Sequence, residues 1–248
     1  MIRGLLLDIG GVLYEGEKVI AGAIEALKEL RKSYKIRYLS NTSRIPPAMV
    51  VRKLRNMGFE VEEREVFTAL SAARRFLEFE GCSAYVIATK EAREYFSKIE
   101  GQERYVLVCD AYKDFTYDRL NEGFRRLEQG YALLATNVNR YFKDSDGLSL
   151  DAGGFVKCLE YASGKSAKVL GKPNCEFFSL AVADMGLKKE EVLMVGDDIE
   201  SDIQGAKSCW IKTVMVKTGK FKEADLQKSR PDFLIQSIAD LPKLLKEI

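Results

Sequence analysis

The side chains best suited to chemistry in this chain of 248 residues are carboxylates, a lysine and a hydroxyl–amide cluster, because it contains no histidine. Without an imidazole, Ser-His-Asp and Cys-His mechanisms and the common histidine metal sites are excluded. Asp8 closes an apolar run and is followed by Gly10-Gly11. Ser40-Asn41-Thr42 follows a second run, Lys172 lies within Gly171-Lys172-Pro173, and Gly196-Asp197-Asp198 follows another run, with Asp202 four residues on. Taken singly, each has a structural reading: Asp8 as a turn former, Ser40-Asn41-Thr42 as turn chemistry and a cap, Lys172 as a surface lysine, Asp198 as a helix cap. Their joint occurrence, each at the end of its own apolar run, points to a shared site instead. In an open parallel sheet, functional groups gather at the carboxyl ends of the strands.

The elements that must position these groups alternate. Ile2–Leu7 reads as a buried strand, and Ile20, Ile24, Leu27 and Leu30 recur at helical spacing. Ile36–Leu39 reads as a second strand, and Pro46-Pro47 opens a helix that Gly58 closes. The last third repeats the rhythm: helix Glu176–Met185, strand Val192–Val195, helix Ile199–Ser208, strand Thr213–Val216, strand Phe233–Ile235 and a final helix. That order predicts an α/β fold with a parallel sheet flanked by helices. The middle holds strands Ala84–Ala88, Tyr105–Val108 and Ala132–Ala135, with helices Tyr117–Leu127 and Phe155–Ala162. We read residues 79–169 as an inserted α/β domain, with 1–78 and 170–248 forming the core.

Bulk properties narrow the setting. Hydrophobic residues are 46%, charged residues 31% and the formal charge is +2, so the chain reads as globular, with no nucleic acid or membrane among its expected partners. Five cysteines, widely spaced and without a C-x-x-C, argue against a disulfide framework and a zinc site and favour a reducing, cytoplasmic setting. No apolar run approaches the length of a bilayer span or a signal-peptide core.

DIGGVLY (Asp8–Tyr14), the Arg140–Phe155 stretch, CLEYASG (Cys158–Gly164), GKPNCEFF (Gly171–Phe178) and VGDDIESD (Val195–Asp202) carry a resemblance along the whole chain to the haloacid dehalogenase superfamily, in its NagD-like, nitrophenylphosphatase branch. The resemblance implies a Rossmannoid core with an inserted cap, a small phosphorylated substrate, Mg2+, and pairing of copies through the cap. It implies Asp8 as nucleophile and Lys172 as the group that neutralises it and the phosphate. Ser40, Asn41 and Thr42 would bind phosphate oxygens, and Asn137 and Arg140 of the cap would contact the rest of the substrate. Asp8, the Gly10 carbonyl and Asp197 would hold the metal, with Asp198 and Asp202 holding its waters or orienting the other ligands. An oxygen-liganded hard cation makes physical sense here, since it lets one anion attack another.

One position departs from the family pattern. Where these phosphatases carry a second Asp, two residues after the nucleophile, this chain has Gly10. General acid–base help is typically worth about 10² to 10⁴-fold, so alkyl phosphates should suffer most, leaving phosphoramidates, pyrophosphate and aryl phosphates favoured. Tyr14, Glu15 and Asp198 are the nearby groups available for that duty, each with a structural reading as well. Three rivals stand beside the phosphatase: a catalytically weakened phospho-ligand binder, suggested by Gly10; a dehalogenase, which would lack the Gly196-Asp197-Asp198 pattern; and a phosphonate hydrolase, which would need a Schiff-base lysine in the inserted domain that the sequence does not single out.

Overall fold

The strand Gly4–Asp8 is buried along its whole length, as is Val192–Gly196. Apolar runs of this kind are stable only when both sheet faces are covered, and each fully buried Leu or Val contributes about 1.5–3 kcal/mol over exposure. The computed structural model describes residues 1–143 and 147–248, so Asp144–Asp146 of the Arg140–Phe155 stretch lie outside the described residues. The chain forms two compact units, Met1–Ser40 with Val51–Phe67 and Lys172–Ile248, and Asn41–Val50 with Thr68–Gly171.

The first unit is built on a sheet whose strands run, in spatial order, Phe233–Ile235, Lys212–Val216, Val192–Gly196, Gly4–Asp8, Lys35–Ser40 and Val66–Thr68. Gly4–Asp8 pairs in parallel with Val192–Gly196 on one side and Lys35–Ser40 on the other. The chain therefore builds outward from the first strand in one direction and later in the other. This reversal opens a crevice at the carboxyl ends of the first strand and its Val192–Gly196 neighbour. Asp8 ends one of these strands, and Asp197 follows the other.

The expected helix over 199–208 differs in kind. Ile199–Gln204 is a π-helical turn and only Gly205–Ser208 is α-helical. Single π turns inside helices often mark functional positions. Asp198 sits just outside as the cap, its Oδ1 accepting from the Glu200 and Ser201 amides at 3.0 Å each.

The second unit carries a four-stranded sheet in the order Lys168–Val169, Ala132–Ala135, Glu103–Val108, Ser83–Ile87, with parallel pairing throughout. Leu107 and Leu134 face a cluster with Leu70, Leu77 and Phe96 of the helices Ala69–Glu80 and Lys90–Phe96. Val106 and Val108 face the opposite cluster with Leu127 and Val156 of Tyr117–Glu128 and Ala152–Ser163. Period-two alternation thus gives this sheet two covered faces. The helices Ala69–Glu80 and Lys90–Phe96 were not anticipated.

The cysteine expectation needs one correction. Cys175 and Cys209 are joined in a disulfide across 34 residues, with their Cα atoms 5.3 Å apart. Their wide spacing in sequence hid a proximity that helix packing creates. It is a single bridge rather than a framework, since Cys82, Cys109 and Cys158 are free. No helix among the described residues is long and apolar enough to cross a membrane.

Candidate active site

Asp8, Asp197 and Asp202 each place a carboxylate oxygen within 4.8 Å of the others, and all three residues are buried. Lys172 reaches into the same place. Its Nζ donates to Asp8 Oδ1 at 2.5 Å and to Asp202 Oδ1 at 2.6 Å, with the lysine itself 4% exposed. Two strand ends, one loop and one helical turn therefore converge on a single buried, low-dielectric site.

Lys172 arrives differently from the other three. It does not end a strand of the large sheet, because the preceding strand Lys168–Val169 belongs to the other sheet. It lies in the loop before helix Cys175–Asp184, whose Asn174 cap accepts from the Glu176 amide at 2.9 Å. Asp202 is held against the backbone by the amide of Asp198, which donates to its Oδ2 at 3.2 Å. Gly196 makes this possible, since a Cβ there would run into the Asp202 carboxylate.

The electrostatics are unbalanced. Burial, then Asp8 and Asp202, push the Asp197 carboxyl well above the usual range. Burial raises Asp202 too, with Lys172 opposing and Asp8 adding to the rise. For Lys172, burial pulls the ammonium down, but Asp202 and Asp8 outweigh it and the net shift is upward. Three carboxylates facing a lysine leave excess negative charge in a site built of oxygen donors. That donor set suits a hard divalent cation such as Mg2+.

The other expected residues fall in distinct places. Ser40 is half-buried at the end of its strand, one residue past Leu39, which pairs with Asp8. Asn41 and Thr42 belong to the second unit, where a Cβ on Gly171 would meet Asn41 Oδ1 at 2.7 Å. Asp198 lies outside the carboxylate trio, tied through Oδ2 to Lys220 Nζ at 3.0 Å; burial raises its pKa, but Lys220 and the cap amides hold it below its usual value. Asn137 is buried and its Oδ1 accepts from the Asn139 amide at 3.0 Å, while Arg140 is exposed.

Gly10 is exposed, and a Cβ built on it would meet nothing within 4 Å. Of the groups near it in sequence, Glu15 Oε1 accepts from the Gly219 amide at 2.6 Å, and Tyr14 has Lys53 Nζ 4.3 Å from its ring centre. One segment escaped the sequence reading: Thr218-Gly219-Lys220, whose Lys220 amide donates to Asp197 Oδ2 at 2.7 Å. It follows the strand Lys212–Val216, so the carboxyl-edge rule applied to that strand would have found it.

Comparison with known proteins identifies the family and the fold. The family described as haloacid dehalogenase-like hydrolase matches residues 5–102, and the one described as HAD-hydrolase-like matches 169–241. Phospholysine phosphohistidine inorganic pyrophosphate phosphatase from Homo sapiens is 35% identical over 254 residues, covering 98% of this chain and 94% of that protein. The crystal structure of 4-nitrophenylphosphatase from Thermotoga maritima superposes with a TM-score of 0.91 at 26% identity, covering 98% of this chain and 97% of that one. Glycerol phosphate phosphatase from Mycobacterium tuberculosis, in complex with magnesium, shares the fold at a TM-score of 0.89 and 22% identity, covering 97% of this chain and 76% of that one. With two family matches at its ends and a relative aligned along nearly all of its length, the chain belongs to the haloacid dehalogenase-like hydrolases.

Proposed function

We propose that the protein is a Mg2+-dependent phosphatase acting on small phosphorylated compounds, with Asp8 as its nucleophile. The observation that carries this reading is the convergence of Asp8, Asp197 and Asp202 with Lys172 at the crevice of the large sheet. The relatives named above as phosphatases support it. Asp8, Asp197 and the Gly10 carbonyl are the proposed metal ligands, with Asp198 and Asp202 supporting them. When bound, Mg2+ would lower the repulsion between the Asp8 carboxylate and an anionic phosphate.

The chain's own groups do the rest. An Asp8 oxygen forms a bond to phosphorus as the bond to the leaving group breaks, giving an aspartyl-phosphate that water then hydrolyses. Lys172, already bound to Asp8 Oδ1, keeps its positive charge beside the nucleophile and offsets charge building on the phosphoryl oxygens. Ser40, Asn41 and Thr42 are the proposed donors to those oxygens. Residues 79–169 are read as the cap that selects the leaving group, with Asn137 and Arg140 its proposed contacts and a cap-to-cap homodimer its expected assembly.

With no side chain at Gly10 to protonate the leaving group, substrates that leave as stable species are favoured: phosphoramidates, pyrophosphate and aryl phosphates. The test is steady-state hydrolysis of 4-nitrophenyl phosphate, pyrophosphate, a phosphoramidate and an alkyl phosphate with Mg2+, beside Asp8→Asn. Turnover that vanishes in the variant and on chelation supports the reading; full hydrolysis after chelation overturns the Mg2+ dependence, and chelation-resistant turnover of a 2-haloacid with none of these phosphates would favour a dehalogenase. The bare Gly10 also favours a second reading, a phospho-ligand binder. Tight Mg2+-dependent binding of these compounds with no turnover and no phosphorylated protein would establish that one.

A further inference from the structure

Three consecutive residues outside the stretches that carried the sequence resemblance are bonded to both halves of the proposed cation site. Thr218 Oγ1 donates to the Gly11 carbonyl at 2.5 Å, and the Gly219 amide donates to Glu15 Oε1 at 2.6 Å. The next amide, Lys220 N, donates to Asp197 Oδ2 at 2.7 Å, while Lys220 Nζ reaches Asp198 Oδ2 at 3.0 Å. One short turn is thus bonded to the loop after Asp8 and to both carboxylates after Gly196.

Two glycines close the grip. Gly219 has φ +69° and Gly11 has φ +79°, conformations that L side chains rarely adopt. A Cβ on either would run into the Asp197 carboxylate, and a Cβ on Gly219 would also lie 2.6 Å from Gly11 Cα. The two backbones therefore close on the Asp197 carboxylate. A terminal carboxylate torsion is intrinsically broad, so its direction must be imposed by its neighbours. Here the Lys220 amide fixes Oδ2, and the glycine walls leave the carboxylate little room to turn.

We propose that the Thr218–Gly219–Lys220 turn is a positioning element that sets the direction of the Asp197 carboxylate and ties the loop after Asp8 to it, so that the two strand ends present their oxygens to one cation. This rests on the reading of Asp197 as a ligand. Outer partners of metal ligands typically matter by about 10 to 100-fold in metal affinity, so the effect should be measurable as a change in affinity.

The experiment measures Mg2+ binding to the full chain by isothermal titration calorimetry for the wild type, Gly219→Ala, Thr218→Val and Lys220→Met. Hydrolysis of 4-nitrophenyl phosphate is followed in parallel as Mg2+ is raised. Gly219→Ala should weaken Mg2+ binding by about tenfold or more, with kcat largely recovered at saturating Mg2+. Thr218→Val, which removes a single hydroxyl bond, should weaken binding by a smaller factor and decides the matter if Gly219→Ala does not fold. Lys220→Met keeps the amide donor on Asp197, so it should weaken Mg2+ binding less than Gly219→Ala; a loss as large or larger would place the effect in the Lys220 side chain and overturn the positioning role of the turn's backbone. Unchanged Mg2+ affinity in Gly219→Ala and Thr218→Val, against a wild type that binds, overturns the positioning role alone. A wild type that binds no Mg2+ overturns the cation reading itself and the turn's role with it.

Discussion

Lys172 and Asp8 are 164 residues apart in the chain, yet the lysine ammonium lies 2.5 Å from the carboxylate with almost no exposure to solvent. A buried ammonium is costly unless paired, and Asp202 at 2.6 Å completes the pairing from a third direction. The contact places a permanent positive charge against the group we propose as nucleophile. It also makes the site's stability and its chemistry interdependent.

Replacing Lys172 by Met should therefore act on both. Breaking a buried ion pair by removing one partner costs about 3–5 kcal/mol, because the remaining charges are left uncompensated. Urea unfolding of Lys172→Met should show a loss of that size without Mg2+ and a smaller one with it. An equal deficit with and without Mg2+ would speak against a cation sharing the same carboxylates.

Asp8→Asn preserves the shape of the side chain but removes the nucleophilic oxygen anion. Turnover should fall on the order of 10⁴-fold or more, as for loss of nucleophiles elsewhere. Acid quenching during turnover of a labelled acyl phosphate should trap a phosphorylated wild-type protein, labile to hydroxylamine, and none in the variant. Label retained by Asp8→Asn would place the nucleophile elsewhere.

Gly10 has room for a carboxylate and a backbone φ outside the left-handed region, so Gly10→Asp should fold normally. It should raise kcat on alkyl phosphates by a factor within the roughly 10² to 10⁴ range of general acid catalysis, and change aryl phosphate turnover far less. Matched kcat values for aryl and alkyl esters in the wild type would remove the basis for the leaving-group preference.

Tyr38 gives a pH prediction away from the site. It is fully buried, and its hydroxyl has no hydrogen-bond partner among the described residues. Burial pushes its pKa up to about 12, with Glu65 adding and Arg31 opposing. Folding therefore favours the neutral phenol. That contribution is intact below the ordinary value near pH 10 and is lost as pH rises through about 12, at about 1.4 kcal/mol per pH unit. Tyr38→Phe should be neutral or stabilising by about 1 kcal/mol at pH 7. Compared with the wild type by urea unfolding at pH 9 to 12, its stability should fall less steeply; parallel curves would show that Tyr38 does not ionise in this range.

The core was readable from local features. Apolar runs such as Leu5–Leu7 and Val192–Val195 end in Asp8 and Gly196-Asp197 because strands buried on both faces must stop where polar groups begin. The helices Ala69–Glu80 and Lys90–Phe96 of the second unit went unread. Ala69–Glu80 buries Ala69, Leu70, Ala73 and Leu77 at helical spacing, so that helix was legible in the sequence, whereas Lys90–Phe96 is only seven residues long, too short for a periodic signal.

Residue types and their order along the chain were enough to nominate Asp8, Lys172 and the Gly196–Asp202 segment, because an absent histidine and a strand-terminal carboxylate are facts of the chain itself. Which of the carboxylates meet was settled by long-range packing. Asp197 and Asp202 join Asp8 because the strand Val192–Gly196 docks beside Gly4–Asp8, while Asp198, one residue away, is turned aside to cap a helix. The Lys220 amide on Asp197 and the Cys175–Cys209 bridge belong to the same class. Each depends on a distance of a few ångströms between segments remote in sequence, and only a packed sheet with its helices sets distances of that kind.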